Sequence, residues 1–147
     1  MSEEIKYVSE KSYFVALWFR RILVPVDGSG ASLKALDLAI DFAKRYGSSV
    51  TVLSVVPENF PKERVEEIFS KVREKVMNQG IQVEYKIRKV QFPQSSIATE
   101  ILREAEDGLF DLIIIGAKGL SGDEETPIGS VAAAVAVLAT CSVIIIR

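Results

Sequence analysis

A chain of 147 residues that is 48% hydrophobic and 26% charged predicts one packed globular domain, and it excludes a disordered or low-complexity protein. Its 18 basic and 20 acidic residues give a net charge of −2, which argues against a general nucleic-acid-binding surface. The chain has no histidine and one cysteine. These counts exclude Ser-His-Asp and Cys-His catalytic centres, His-ligated zinc sites and a disulfide within the chain.

The first twenty residues precede a regular alternation of elements, and we predict that residues 1–20 are an extension of a domain at residues 21–147. The apolar run Tyr13–Phe19 is only seven residues long and is followed by two arginines, so it is too short for a membrane helix. It also lacks the cleavage site of a signal peptide, and we expect a cytoplasmic protein without a membrane segment. Its apolar side chains are expected to pack against the domain or a second subunit, and they belong to Tyr13, Phe14, Leu17, Trp18 and Phe19.

Beyond residue 20, apolar runs alternate with segments of helical periodicity. The runs predict five strands, at Ile22–Val26, Val50–Val56, Ile81–Ile87, Leu112–Ile115 and Val143–Ile146. Apolar residues at three- and four-residue steps predict four helices, at Ser32–Tyr46, Lys62–Gln79, Pro93–Glu106 and Gly129–Ala139. The strict alternation of Ile81–Ile87 predicts a strand at or near a sheet edge, with its polar face in water. The alanine and valine content of Gly129–Ala139 predicts a helix buried against the sheet.

This order of elements predicts a doubly wound α/β fold, an open five-stranded parallel sheet with helices on both faces. In such folds, ligands bind beyond the carboxyl ends of the strands, at the point where the strand order reverses. We expect two turns to line that crevice, Asp27–Gly30 after the first strand and Gly116–Ser130 before the last helix.

The second of these turns has features of a phosphate site. Gly116 follows a buried strand, where glycine lets the backbone approach a ligand closely. Gly129 and Ser130 open a helix, whose free N–H groups and positive dipole end favour a phosphate. The alternative is that Gly116 and Gly119 only shape the turn and that Ser130 only caps the helix. The chain contains neither the P-loop motif nor the dinucleotide-binding fingerprint.

The spacing G-x2-G-x9-G-S resembles the nucleotide-binding signature of the universal stress protein family, and it is formed by Gly116, Gly119, Gly129 and Ser130. Three further segments resemble the first, fourth and last strands of that family: Val24–Ser29 (VPVDGS), Asp111–Gly116 (DLIIIG) and Cys141–Ile144 (CSVI). The resemblance covers Arg21–Arg147.

The resemblance implies a Rossmann-like, adenine nucleotide alpha hydrolase-like domain that binds ATP, or AMP or ADP, with Mg²⁺ accompanying the nucleotide. It places Pro25, Val26 and Asp27 at the adenosine end, and a backbone contact to adenine at Val55. It assigns the ribose and phosphates to the second turn and the helix after it, through Gly116, Gly119, Gly129, Ser130 and the adjoining Val131. No residue is assigned as catalytic or as a metal ligand.

Two residues keep an alternative role. Asp27 precedes Gly-Ser, a setting in which Asp commonly forms a turn or caps a helix. Lys118 could contact a phosphate, or it could be a solvated loop lysine. The chain also departs from the family in the nine-residue spacer, which carries Asp123, Glu124 and Glu125. Three carboxylates near a triphosphate repel it unless they point outward or Mg²⁺ intervenes.

The resemblance therefore implies an ATP-binding switch in stress response or signalling, and the chain's lack of histidine favours little or no hydrolysis. The sequence does not identify the partner. The alternatives are a nucleotide-free dimeric interaction module and a slow Mg²⁺-dependent ATPase. The resemblance also implies a homodimer joined by antiparallel pairing of the last strands, Val143–Ile146. This apolar run needs covering if it forms a sheet edge.

Overall fold

The computed structural model describes residues 18–120 and 127–147. Within these two ranges, strands and helices alternate along the chain. The strands are β1 (Arg21–Pro25), β2 (Ser49–Pro57), β3 (Val83–Val90), β4 (Leu112–Gly116) and β5 (Ser142–Ile146). The helices are α1 (Gly30–Tyr46), α2 (Lys62–Val76), α3 (Ile97–Asp107) and α4 (Ser130–Leu138).

The five strands form one parallel sheet in the order β3-β2-β1-β4-β5. The predicted fold class is therefore confirmed, and β3 lies at an edge as its alternating sequence predicts. The chain winds outward from β1 through β2 to β3, and then returns to place β4 on the other side of β1. The strand order reverses between β1 and β4, and their carboxyl ends are followed by the two turns that the sequence singles out.

Both faces of the sheet are covered, which explains why its central strands are apolar without interruption. Ile22 and Ile114 pack on the face covered by α1 and α2, whereas Leu23 and Ile113 pack on the face covered by α3 and α4. All four side chains are fully buried. Alternate residues of a strand point to opposite faces, so a strand between two helical layers needs apolar residues at every position.

Several predicted boundaries are wrong. Strand β3 runs over Val83–Val90 and not Ile81–Ile87, and at two helices local capping decides the boundary. The third helix begins at Ile97 and not at Pro93, because the hydroxyl of Ser96 accepts a hydrogen bond from the N–H of Thr99 at 3.0 Å. Residues 92–94 form a turn before it. The second helix ends at Val76 and not at Gln79, and the left-handed backbone of Asn78 (φ 64°) leads the chain out of it.

The last helix is less buried than its composition predicts. In α4, Ala132 and Val135 are buried against the sheet, whereas Val137 is 79% exposed and Leu138 is 63% exposed. Strand β5 beside it is half-buried and forms the second edge of the sheet. Helix α4 therefore packs against the sheet through its small residues, and its own apolar side chains at Val137 and Leu138 remain exposed to solvent.

Only the last residues of the predicted extension fall within the described ranges. Phe19 stacks on Phe42 of α1, with ring centroids 6.0 Å apart. Trp18 is 69% exposed. Tyr13, Phe14 and Leu17 lie outside the described residues, so the expected packing of their side chains stays a prediction. Among the described residues, the structure has no helix that combines the length and apolar content needed to cross a membrane.

The polar face of β3 is exposed at Glu84 and Lys86 as predicted, and it also forms ion pairs with α3. Arg88 donates to Glu100 at 2.8 Å and to Glu104 at 2.7 Å, and Lys86 donates to Glu104 at 2.7 Å. Both carboxylates are almost fully buried. The hydrogen bond from Arg88, and next the one from Ser95, lowers the pKa of Glu100 below its ordinary value. These bonds join the edge strand to the helix that packs behind it.

This ion-pair cluster predicts that acid weakens the fold. A carboxylate whose pKa is lowered by folding contributes stability above its unfolded pKa, and the contribution is lost as the pH falls through the lowered value. We expect Glu100→Gln to reduce the free energy of unfolding at neutral pH by about 1.5–3 kcal/mol, the range for hydrogen bonds to charged groups. The variant should also flatten the decline in stability on acidification, measured by urea denaturation across the acidic pH range.

Glu106 supplies the control, because its side chain is exposed on the same helix. We expect Glu106→Gln to keep the wild-type stability and the wild-type slope in acid. An equal slope in Glu100→Gln and the wild type would contradict the assignment.

Candidate functional site

The turn after β1 is built by three consecutive residues. The N–H of Ser29 donates to Oδ1 of Asp27 at 2.9 Å, which closes the turn on the carboxylate. Gly28 adopts φ 87°, a conformation that side-chain-bearing residues rarely take. Ser29 then caps α1, because its hydroxyl accepts a hydrogen bond from the N–H of Ser32. Asp27 therefore has the turn role that its sequence context suggests, and its carboxylate also borders the crevice.

The turn after β4 starts with a glycine that packing requires. A Cβ on Gly116 would lie 2.7 Å from the carbonyl carbon of Ala31 and 2.8 Å from the backbone nitrogen of Ser32. Only glycine lets the end of β4 pass this close to the start of α1. Gly116 therefore does shape the turn, because its lack of a side chain allows the backbone after β4 to lie next to the turn after β1.

The start of α4 presents its backbone N–H groups without a side-chain cap. Gly129 is the N-cap residue, and Ser130 is the first residue of the helix, so the alternative that Ser130 caps α4 is wrong. The N–H of Gly129 donates to the carbonyl of Ala117 at 2.6 Å, which ties the helix start to the end of β4. The first intrahelical bond runs from the N–H of Ala133 to Gly129, so the N–H groups before it have no carbonyl partner within the helix.

A cavity of about 530 Å³ lies between these two turns, at the carboxyl ends of β1 and β4. Its volume is within the usual range for a small-molecule site. All ten residues predicted for the site line this one cavity: Pro25, Val26, Asp27, Val55, Gly116, Lys118, Gly119, Gly129, Ser130 and Val131. The structure thus brings the predicted residues together, and their contacts to a ligand stay a prediction.

The cavity also has an apolar wall that the sequence did not identify. It combines the middle of β2, level with the end of β1, and the end of β4 with the first two turns of α3 and the residue before Gly129. Its side chains are Leu53, Ile97, Ile101, Ile115 and Ile128. In sequence these residues look like ordinary core positions. The one available signal was topological, because β2 is adjacent to β1 in a fold of this order and its carboxyl end faces the same crevice.

Charge in the cavity is sparse. Asp27 and Lys118 are the charged side chains among the described residues that line it. The acidic residues Asp123, Glu124 and Glu125 lie outside the described residues. An apolar wall, a few polar groups and a helix N-terminus together suit a ligand with an apolar ring at one end and an anionic group at the other.

Comparison with known proteins gives the family. The model of the universal stress protein family matches residues 19–147 of the chain. The chain belongs to the universal stress protein family. The family member YxiE of Bacillus subtilis is 33% identical over an alignment of 152 positions, and the alignment covers 88% of this chain and 99% of YxiE. The division of the chain at residue 20 stays a prediction.

Solved structures of universal stress proteins share this fold. One from Archaeoglobus fulgidus, in complex with dAMP, has a TM-score of 0.68 and 23% identity, and covers 88% of this chain and 98% of its own. Another, in complex with cAMP, has a TM-score of 0.71 and 22% identity, and covers 88% and 97%. At these identities the likeness establishes the fold.

The packing of Gly116 predicts a large effect from a single methyl group. Gly116→Ala should lower the free energy of unfolding by about 1–3 kcal/mol, because the added carbon meets backbone atoms that cannot move independently. Gly30→Ala is the matched control, since nothing lies within 4 Å of a Cβ at Gly30 in the first turn of α1. We expect the control to be neutral, or more stable by about 0.4–1 kcal/mol. Urea denaturation of both variants measures the difference, and equal stabilities would contradict this account.

Proposed function

We propose that the cavity binds an adenine nucleotide, with its phosphate at the N-terminus of α4 and its adenosine along the apolar wall. The observation that carries this proposal is the position of the uncapped α4 N-terminus, which opens at one end of a largely apolar cavity. Backbone N–H groups and the helix dipole favour an anion at that end. The apolar side chains from β2 and α3 offer a surface for a flat ring.

The proposed residue roles follow the family resemblance. Asp27, with Pro25 and Val26, contacts the adenosine end, and the backbone of Val55 contacts adenine. The phosphates lie along the glycine turn and the start of α4, where the proposed contacts are Gly116, Lys118, Gly119, Gly129, Ser130 and Val131. The complexes of two family members with dAMP and cAMP support an adenine nucleotide as the class of ligand.

For ATP, we propose that Mg²⁺ binds through the phosphate oxygens, the usual arrangement for this cation. In residues 18–120 and 127–147, no three Cys, Asp or Glu side chains are grouped to hold a metal ion. AMP and ADP fit the same phosphate position with fewer charges.

We propose a binding switch in the cytoplasm, acting in stress response or signalling, and not an efficient enzyme. The chain has no histidine to act as a general base. Asp27 is the carboxylate among the described lining residues, and both of its oxygens already accept backbone N–H groups. Hydrolysis should therefore be slow, and nucleotide binding acts by selecting one conformation or assembly that a partner recognises.

Ser130 offers a test that separates phosphate binding from folding. Ser130→Asp places a carboxylate at the first position of α4, where it stabilises the helix and repels a phosphate. We expect the melting temperature without ligand to stay equal or rise. Millimolar ATP or AMP should raise it by several degrees in the wild type, since ligand at about 100 times its Kd adds about 2.7 kcal/mol. This rise should be lost in Ser130→Asp.

Ser130→Asn is the control, because it has nearly the same shape as Ser130→Asp and no charge. It should keep at least half of the nucleotide-induced rise. If no nucleotide raises the melting temperature of the wild type, a nucleotide-free interaction module is the better account. Phosphate release that depends on Mg²⁺ would instead favour a slow ATPase.

We further propose that the protein is a homodimer through β5. The carbonyl of Ile146 accepts a hydrogen bond from the N–H of Ala117 after β4, so the backbone groups of Ile146 face β4. By alternation along the strand, the N–H and C=O of Val143 and Ile145 face the open edge. A second copy that pairs antiparallel would cover this edge and the exposed apolar surface of α4.

Val143 allows this pairing to be tested without removing the bonds to β4. Val143→Pro lacks the N–H that faces the open edge and should weaken dimerisation about tenfold or more, since the two-fold axis doubles the loss. Val143→Ala removes more apolar bulk than Val143→Pro but keeps the N–H, and it should stay dimeric. Equilibrium sedimentation at micromolar concentration measures both. A monomeric wild type, or a fully dimeric Val143→Pro that remains folded, would contradict the proposal.

A further inference from the structure

The carboxylate of Asp27 joins the two turns that border the cavity. Its Oδ1 accepts the N–H of Ser29 at 2.9 Å, within its own turn. Its Oδ2 accepts the N–H of Leu120 at 3.1 Å, from a residue 93 positions further along the chain. We call this pair of hydrogen bonds the Asp27 bridge.

The second glycine of the motif is fitted to this bridge. A Cβ on Gly119 would collide with Oδ2 of Asp27. The backbone before Leu120 can therefore reach the carboxylate only because residue 119 has no side chain. This contact gives Gly119 a function in the protein without a ligand, in addition to the phosphate contact proposed for it.

The bridge is placed where a ligand can compete for it. Asp27 is partly buried and lines the cavity, so its carboxylate faces the space that the nucleotide would occupy. An ionised carboxylate only accepts hydrogen bonds, so a ligand approaches it with hydroxyl or amino groups. Leu120 is 68% exposed, so water can replace the carboxylate at its N–H group when the bond breaks.

We propose that the Asp27 bridge holds the backbone of Gly119 and Leu120 in place while the cavity is empty, and that a ligand whose sugar hydroxyls bond to Asp27 releases Leu120. This inference rests on the proposed nucleotide function and deepens it, because it identifies where occupancy changes the protein surface. An anion without a sugar fills only the phosphate position and leaves the bridge intact. Phosphate and nucleotide therefore have different effects on Leu120.

The first part of the test needs no ligand. Amide hydrogen exchange at Leu120, followed by NMR in the full chain, should become about tenfold faster or more in Asp27→Ala, because the N–H loses a charged acceptor. Asp111→Ala is the matched control, and it should leave the exchange rate at Leu120 unchanged. Asp111 also accepts two backbone N–H groups, from Arg20 at 2.8 Å and from Arg21 at 3.0 Å, at the opposite end of the sheet. If Asp27→Ala does not fold, Asp27→Asn, which has one acceptor oxygen in place of two, replaces it.

The second part compares ligands on the wild-type protein. Saturating AMP, with its binding verified by a melting-temperature rise, should raise the exchange rate at Leu120 towards that of Asp27→Ala. Inorganic phosphate should leave it unchanged. If AMP raises the melting temperature but leaves Leu120 exchange unchanged or slower, the release by ligand is refuted and the nucleotide function stands. If no nucleotide raises the melting temperature, both the release by ligand and the nucleotide function are refuted. Wild-type exchange in both Asp27 variants would show that the bridge does not form in solution.

Discussion

A parallel sheet covered by helices on both faces leaves a ligand little room except at the ends of its strands, and this constraint organises the whole protein. Alternate buried residues of β1 and β4 pack against the helices on the two faces of the sheet, so a helix cannot move away from either face without exposing the core. The strand order reverses between these two strands. The turns that follow them therefore diverge to opposite faces and leave a cavity between them.

Close backbone contact then gives the cavity its shape. The end of β4 passes the start of α1 at a distance that only Gly116 allows, and Gly119 lies against the side-chain carboxylate of Asp27. The start of α4 is fixed by the bond from Gly129 to Ala117. The glycines of the motif thus serve two purposes that do not compete. They let the backbone pack tightly in the empty protein, and Gly129, as an N-cap without a side chain, leaves the first N–H groups of α4 uncapped where a phosphate is proposed to bind.

The two edge strands of the sheet differ in the side chains that border them. At β3, Lys86 and Arg88 form ion pairs with the buried carboxylates of α3, and Lys86 remains exposed at the border of the sheet. Such charges discourage pairing with another chain. At β5, the strand is short and apolar, and the exposed Val137 and Leu138 lie on the helix beside it. The contrast supports β5 as the edge through which two copies would associate.

The sequence by itself determined the fold class, because continuous apolar runs separated by amphipathic helices have one common solution, a parallel sheet between helical layers. It also selected ten of the residues that line the cavity, through the family resemblance that the glycine spacing and the end of β1 carry. Contacts between distant segments were decided only by the tertiary structure. The wall at Ile97 and Ile101 looks like core in sequence, and the bond from Leu120 to Asp27 spans 93 positions. Composition cannot show which side of an apolar helix remains exposed, because that depends on how far the sheet extends beneath it.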